Sequence, residues 1–269
     1  MDSHKRIAIQ AAKKAGFVLR DRLGQKRKIG YKGAVNLVTE MDILSEKIIV
    51  AEIQKNFPDH AILAEERTAI EKTSRFRWII DPLDGTTNYA HGFPIFSVSI
   101  ALAKDEEAIL GVVYDPTRDE LFTAEKGKGS RLNGRRIRVS SESNLSRSLL
   151  ATGFPYDLRE SRFNNFDHFH NFAVRAQAVR RTGSAALDLC YVAAGRFDGF
   201  WEMKLGPWDI AAGSLLVSEA SGKITNFLGR PLNLSGNHVL ASNGKIHKSM
   251  LRVINLGKFL KHNKRGRLG

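Results

Sequence analysis

The chain has 269 residues, 42% hydrophobic and 26% charged, enough for one large α/β unit or two modest domains sharing a core. No apolar run approaches the ~20 residues that cross a bilayer, Met1-Asp2-Ser3-His4-Lys5-Arg6 opens no signal-peptide core, and the single Cys190 allows no internal disulfide, so a cytoplasmic protein without membrane contact is expected. Lys and Arg number 42 against 28 Asp and Glu, a net charge of +14, and residues 220–269 hold ten basic and no acidic residues, a field that attracts polyanions when it is not simply a solvated tail.

Residues 5–23 carry Ile7, Ala8, Ala11, Ala12, Ala15, Val18 and Leu19 at helical spacing. Residues 41–56 repeat it with Leu44, Ile48 and Ala51, and Phe57-Pro58 ends that helix. Ala61-Ile62-Leu63-Ala64 and Arg77-Trp78-Ile79-Ile80 are short apolar runs that predict buried strands. Phe96 to Leu102 alternates with period two, Ala108 to Tyr114 and Glu120 to Ala124 continue the pattern, and Asn133-Gly134 marks a hairpin turn. Residues 60–140 therefore predict an antiparallel sheet flanked by the earlier helices. Beyond about 146 the spacing predicts alternation: strands at 149–151, 197–201 and 239–242, helices at 161–176, 183–194, 209–220 and 246–261.

Three acidic segments stand at the ends of buried runs. Ala64-Glu65-Glu66 follows the first apolar strand. In Asp81-Pro82-Leu83-Asp84-Gly85-Thr86-Thr87-Asn88, Asp81 sits where the second strand is expected to end, with Pro82 stopping the ladder. A tight turn there brings both carboxylates and the Leu83 carbonyl onto one ion, Gly85 permits an unusual backbone angle, and Thr86 opens a helix or turn with its hydroxyl free to orient a water. Asp209, in Trp208-Asp209-Ile210-Ala211-Ala212-Gly213, lies at a helix start after Gly206-Pro207. Each segment alone has an ordinary account: a solvated Glu pair, a hairpin Asp-Gly, an N-cap. Together they place five acids where unpaired burial is costly. Hard oxygen donors suit magnesium, and clustered divalent cations serve phosphate-ester hydrolysis, which is extremely slow unaided.

Asp81 to Asn88 resembles the first signature of the inositol monophosphatase family, and Trp208 to Gly213 resembles the second, over a likeness running from about residue 5 to 255. The resemblance implies a layered α/β/α/β/α sugar-phosphatase fold, α+β in residues 1–145 and α/β in 146–269, with the metal site between the halves. It implies two or three Mg2+ ions: Glu65, Asp81 and the Leu83 carbonyl on the first, Asp81, Asp84 and Asp209 on the second, and Glu65 touching a weaker third. Asp42 and Thr86 are implied to activate the attacking water, the Gly85 and Thr86 amides to hold phosphate, and Glu202 and Gly183-Ser184-Ala185 to line the alcohol pocket. The implied reaction is hydrolysis of myo-inositol monophosphate without a covalent phosphoenzyme, in a lithium-sensitive homodimer. The alternatives are fructose 1,6-bisphosphate or another sugar phosphate as substrate, and an RNA or transcription-complex binding protein that keeps the phosphatase fold and uses the basic C-terminal region.

Lys32-Gly33 falls where the family has a mobile metal-binding loop, and Asn36 stands where many members carry Asp, which changes that loop's charge. Arg180-Arg181-Thr182-Gly183-Ser184 resembles the bacterial branch, which implies an assembly role for Arg181. Asp167-His168-Phe169-His170 sits in a predicted helix and is expected to carry surface histidines; His91 is expected to be structural and Cys190 to be buried packing. There is no Gly-x-Ser-x-Gly, Walker loop or zinc-type cysteine pair.

Overall fold

The structure, a computed structural model, describes residues 2–25, 29–31, 37–234 and 238–256. Helix α1 (Asp2–Asp21) buries the stripe Ile7, Ala8, Ala11, Ala12, Ala15 and Leu19, with Asp2 and Arg20 at the ends its dipole favours. A short hairpin, β1 (Ile29–Tyr31) and β2 (Leu37–Thr39), leads into α2 (Glu40–Asn56). Eight strands then form one sheet: β3 (Ala61–Ala64), β4 (Ala69–Ile70), β5 (Phe76–Asp84), β6 (Ser97–Lys104), β7 (Glu107–Asp115), β8 (Glu120–Glu125), β9 (Gly129–Leu132) and β10 (Arg135–Arg136), with α3 (Thr86–Ala90) between β5 and β6. Its order is β10-β9-β8-β7-β6-β5-β3-β4, antiparallel except for the β3–β5 pair.

The second sheet has the order β12-β11-β13-β15-β14. Its strands are β11 (Leu149–Thr152), β12 (Ala178–Arg180), β13 (Gly199–Met203), β14 (Lys223–Thr225) and β15 (His238–Ser242), interleaved with α4 (Phe166–Ala173), α5 (Ala185–Ala193), α6 (Pro207–Glu219) and α7 (His247–Ile254). β12, β11 and β13 run parallel, and β15 opposes both its neighbours.

Period-two alternation explains the layering. In the first sheet Trp78, Ile80, Ile100, Leu102, Val112 and Tyr114 face α1 and α2. Ile79, Ala101, Ala103, Val113 and Phe122 face α5 and α6. In the second sheet Ala151, Phe200, Val239 and Ala241 cover the other side of α5 and α6, while Leu150, Trp201, Met203 and Leu240 pack on α4 and α7. The order of layers is therefore α/β/α/β/α, as the resemblance implied. α6 lies close because β7 has no side chain at Gly111: a Cβ there would stand 2.8 Å from the Ala212 carbonyl oxygen. No described helix is long and apolar enough to cross a membrane.

Several boundaries differ from expectation. β5 continues through Pro82 to Asp84, so proline does not end the strand; it sits in a register shift between Asp81 and Asp84 against β6, where a missing ladder N–H costs nothing. The helix expected over 161–176 spans only Phe166–Ala173, because Ser161 to Asn164 bond among themselves in turns and Asn165 bonds to Thr152, Gly153 and the Trp201 indole instead. The strand expected at 197–201 is shifted to Gly199–Met203.

Candidate active site

The register shift in β5 turns both motif aspartates to one end of the sheet. The Leu83 N–H donates to Asp81 Oδ1 at 3.0 Å, and Ser45 Oγ on α2 donates to the Pro82 carbonyl at 2.6 Å, so the bulge is braced from both sides. Gly85 follows at φ +95°, and a Cβ there would lie 3.0 Å from the Ile95 carbonyl oxygen; only glycine suits both conditions. α3 then starts at Thr86. Its hydroxyl reaches Asp42 Oδ1 at 2.8 Å and the Leu83 carbonyl at 3.0 Å. Asp42 Oδ2 meanwhile accepts from the Thr39 N–H at 2.7 Å and from the Thr39 hydroxyl, the box that starts α2. One side chain thus caps a helix with one oxygen and holds Thr86 with the other.

Asp84 is seated on the start of α5. Its Oδ2 accepts from the Ser184 hydroxyl and from the Ala186 N–H at 2.9 Å, and its Oδ1 from the Ala185 N–H at 3.3 Å. Asp209 arrives on the first turn of α6, where its Oδ2 accepts from the Gly206 N–H at 2.6 Å. Asp81, Asp84 and Asp209 each offer one oxygen within 4.8 Å of the others. Glu65, at the end of β3, lines the same cavity but stands outside that trio.

Burial pushes the Asp81 carboxyl well above the usual range, and the charges of Glu65, Asp84 and Asp209 push it further. Burial and Glu65 do the same to Asp209. Burial raises Asp84 to about 6, although Ser184 and the α5 amides oppose the rise. Burial also raises Asp42, against its bonds to Thr39 and Thr86. Such crowding of acids disfavours ionisation until a cation enters. All the donors are hard oxygens, the Leu83 carbonyl included, and the set suits a divalent cation of the magnesium class.

A cavity of about 200 Å3 holds Glu65, Asp81, Leu83, Asp84, Gly85, Thr86 and Asp209. An adjoining one of about 100 Å3 holds Gly183, Ser184, Ala185 and Glu202, and shares Asp84, Gly85, Tyr156, Lys204 and Asp209 with the first. Every predicted site residue but Asp42 therefore lines one continuous space, and Asp42 reaches it through Thr86. Glu202 is buried on β13 against Gly153, where a Cβ would lie 2.0 Å from its Oε1. Burial raises its carboxyl to about 8; Arg181 opposes the rise and Asp188 and Asp84 add to it.

Four ionisable lining residues escaped sequence reasoning. Arg181 lines the cavity that holds Glu202. Asp188, buried on α5, accepts from the Thr182 hydroxyl at 2.6 Å, and a lone acid in the apolar run Ala185–Ala193 was the available signal. Tyr156 and Lys204 had no local signal. Behind the rim, buried Glu46 on α2 accepts from the Glu66 and Arg67 amides at 2.9 and 3.2 Å and from the Thr68 hydroxyl at 2.6 Å, so it fixes the turn that carries Glu65.

Of the remaining expectations, buried packing at Cys190 agrees with the structure and surface placement of His168 does not. His168 is half-buried, not superficial, edge-on to Phe227 at 5.5 Å, and burial lowers its pKa. His91 is exposed and lines neither cavity. Cys190 is buried in α5, and burial raises its thiol. Lys32-Gly33, Asn36 and residues 257–269 lie outside the described residues.

Residues 1–256 match the inositol monophosphatase family. An inositol-1-monophosphatase of Synechocystis sp. is 46% identical over 250 residues, covering 92% of this chain and 87% of its own. The Nus factor SuhB of Pseudomonas aeruginosa is 44% identical over 257 residues, covering 92% and 94%. The solved inositol monophosphatase of Anabaena (Nostoc) sp. is similar with a TM-score of 0.86 at 44% identity, covering 94% of this chain and 95% of that one.

Proposed function

The chain belongs to the inositol monophosphatase family and is a phosphatase, and from that premise we propose that it hydrolyses myo-inositol monophosphate to myo-inositol and phosphate with magnesium. The observation that carries the metal-dependent reading is the meeting of Asp81, Asp84 and Asp209 within 4.8 Å without a bonded cationic side chain among the described residues. Glu65, Asp81, the Leu83 carbonyl, Asp84 and Asp209 would hold two or three ions. Bound there, magnesium supplies positive charge to the phosphoryl oxygens, acidifies a water and stabilises the departing oxygen.

The protein groups act around that charge. Asp42 takes the Thr86 hydroxyl proton as a hydrogen bond, so Thr86 Oγ1 presents lone pairs that accept from, and aim, the attacking water. Asp42, held by Thr39, is the base through which that water's proton leaves. The Gly85 and Thr86 amides bind the phosphate oxygens. Glu202, a largely neutral acid near pH 7, exchanges hydrogen bonds with a polyol hydroxyl, and Gly183 to Ala185 shape the wall beside it. Fructose 1,6-bisphosphate and other sugar phosphates are the alternative substrates of the same groups, and a panel with phosphate release separates them. Lithium inhibition, a homodimer and a cytoplasmic location belong to the same proposal.

Asp81→Asn tests it. The variant should keep its thermal transition and lose magnesium-dependent turnover by about a thousandfold or more; wild-type turnover in that variant would defeat the reading. A second reading, supported by the likeness to the SuhB Nus factor, is contact with RNA or a transcription complex through the basic C-terminal region, alongside catalysis.

A further inference from the structure

Between β13 and α6, Lys204 adopts φ +62°. A glycine would take that left-handed conformation without steric cost, and an L side chain does not. The lysine side chain leaves this point to bridge two parts of the site. Its Nζ donates to Asp157 Oδ2 at 2.6 Å and to Ser161 Oγ at 2.9 Å. Asp157 Oδ1, also buried, has no partner among the described residues, so Lys204 is the carboxylate's one bonded anchor.

Asp157 and Ser161 belong to residues 154–164, which pair with no strand and fold on themselves in turns, such as Ser161 N–H to the Asp157 carbonyl at 2.9 Å. Phe154 packs its ring on Phe166 and Phe169 at 5.4 and 5.7 Å. Among the described residues, no side chain outside the segment other than Lys204 hydrogen-bonds to it. At the far end Phe163 stacks on His238 at 5.8 Å. Between Phe154 and Asp157 stands Tyr156, which lines both the carboxylate cavity and the alcohol cavity although 54% exposed.

We propose that Lys204 is a positioning and specificity-determining residue, whose ion pair with Asp157 fastens residues 154–164 as the outer wall of the alcohol cavity and so sets which polyol phosphates are held. The proposal rests on the polyol-phosphatase reading for its substrate, and on the geometry alone for the clamp. Lys204 lines both cavities itself, but its ammonium is engaged by Asp157 and Ser161, so its role is to position Tyr156 and its neighbours.

The test uses the full chain with Lys204→Gly, which removes the clamp while relieving the backbone, together with Asp157→Asn and the double variant. Amide exchange in residues 154–164 should accelerate several-fold in both single variants. KM for myo-inositol 1-phosphate should rise about three- to fivefold, with a smaller change in kcat, as suits loss of one partly exposed ion pair. KM for 4-nitrophenyl phosphate, which has no polyol to hold, should move less, and the double variant should be no worse than either single. Unchanged exchange overturns the clamp. Faster exchange with an unchanged KM ratio overturns the specificity role. A lower KM in Asp157→Asn overturns both, because it means the freed ammonium binds substrate directly. A wild-type enzyme that ignores every polyol phosphate but cleaves 4-nitrophenyl phosphate refutes the substrate reading and the specificity role, while the exchange arm still decides the clamp.

Discussion

Glu202 sits against the backbone of Gly153 with its carboxyl raised to about 8 from 4.5, chiefly by burial. In the folded chain it holds its proton between those two values, while in the unfolded chain it has released it. Stability from this group is therefore complete below about pH 4.5 and is lost as pH rises toward about 8. In saturating magnesium, the wild-type unfolding free energy should fall across that window more steeply than that of Glu202→Gln, by an amount on the order of 1–3 kcal/mol; parallel curves would show that Glu202 does not titrate there. Residues of this kind differ in how far sequence exposes them. Asp81 and Asp84 were legible because they stand at the end of one buried run, and Asp209 because it directly precedes another, so that burial and charge conflict on the page. Glu46, Asp157 and Lys204 were not, since their partners are 20 or more positions away and nothing nearby demands them.

Elements were legible where periodicity was long. α1, α2, β5, β6 and β7 follow from their apolar spacing, whereas β4, β12 and β14 are two or three residues each and exist only because a neighbour offers a free edge. Pro82 misled for a related reason: it forbids a ladder bond, and the register shift at Asp81 and Asp84 removes the need for one. The placement of α6 depends on a contact no motif announces. Its Ala212 backbone lies over Gly111 of β7, and the same helix carries Asp209 at its first turn. Gly111→Ala should thus cost about 1–3 kcal/mol of stability by overpacking and raise the magnesium concentration for half-maximal turnover. Urea unfolding together with metal titration checks this; loss of stability with an unmoved metal requirement would show that α6 does not relay the shift to Asp209.

At the scale of the whole molecule, spacing predicted a sheet flanked by helices followed by an alternation of strands and helices, whereas the order of the layers and the meeting of four distant segments at one point both needed the family resemblance. The charge imbalance was legible as well, with every acidic residue at or before Glu219. Removing residues 258–269 should leave polyol-phosphate turnover within about twofold and abolish any RNA binding that weakens steeply with salt. Binding retained by the shortened chain, measured by filter retention at two salt concentrations, would assign it elsewhere.

The middle layer has one more consequence. α5 and α6 are covered by one sheet on one side and by the other sheet on the opposite side, so neither helix has a wet flank of its own. Each buries its full apolar surface only when strands drawn from residues 61–125 and from 149–242 have both been placed against it. Completing this layer therefore depends on contacts far apart in sequence, a slow route, and the cluster of Asp81, Asp84 and Asp209 shares that dependence.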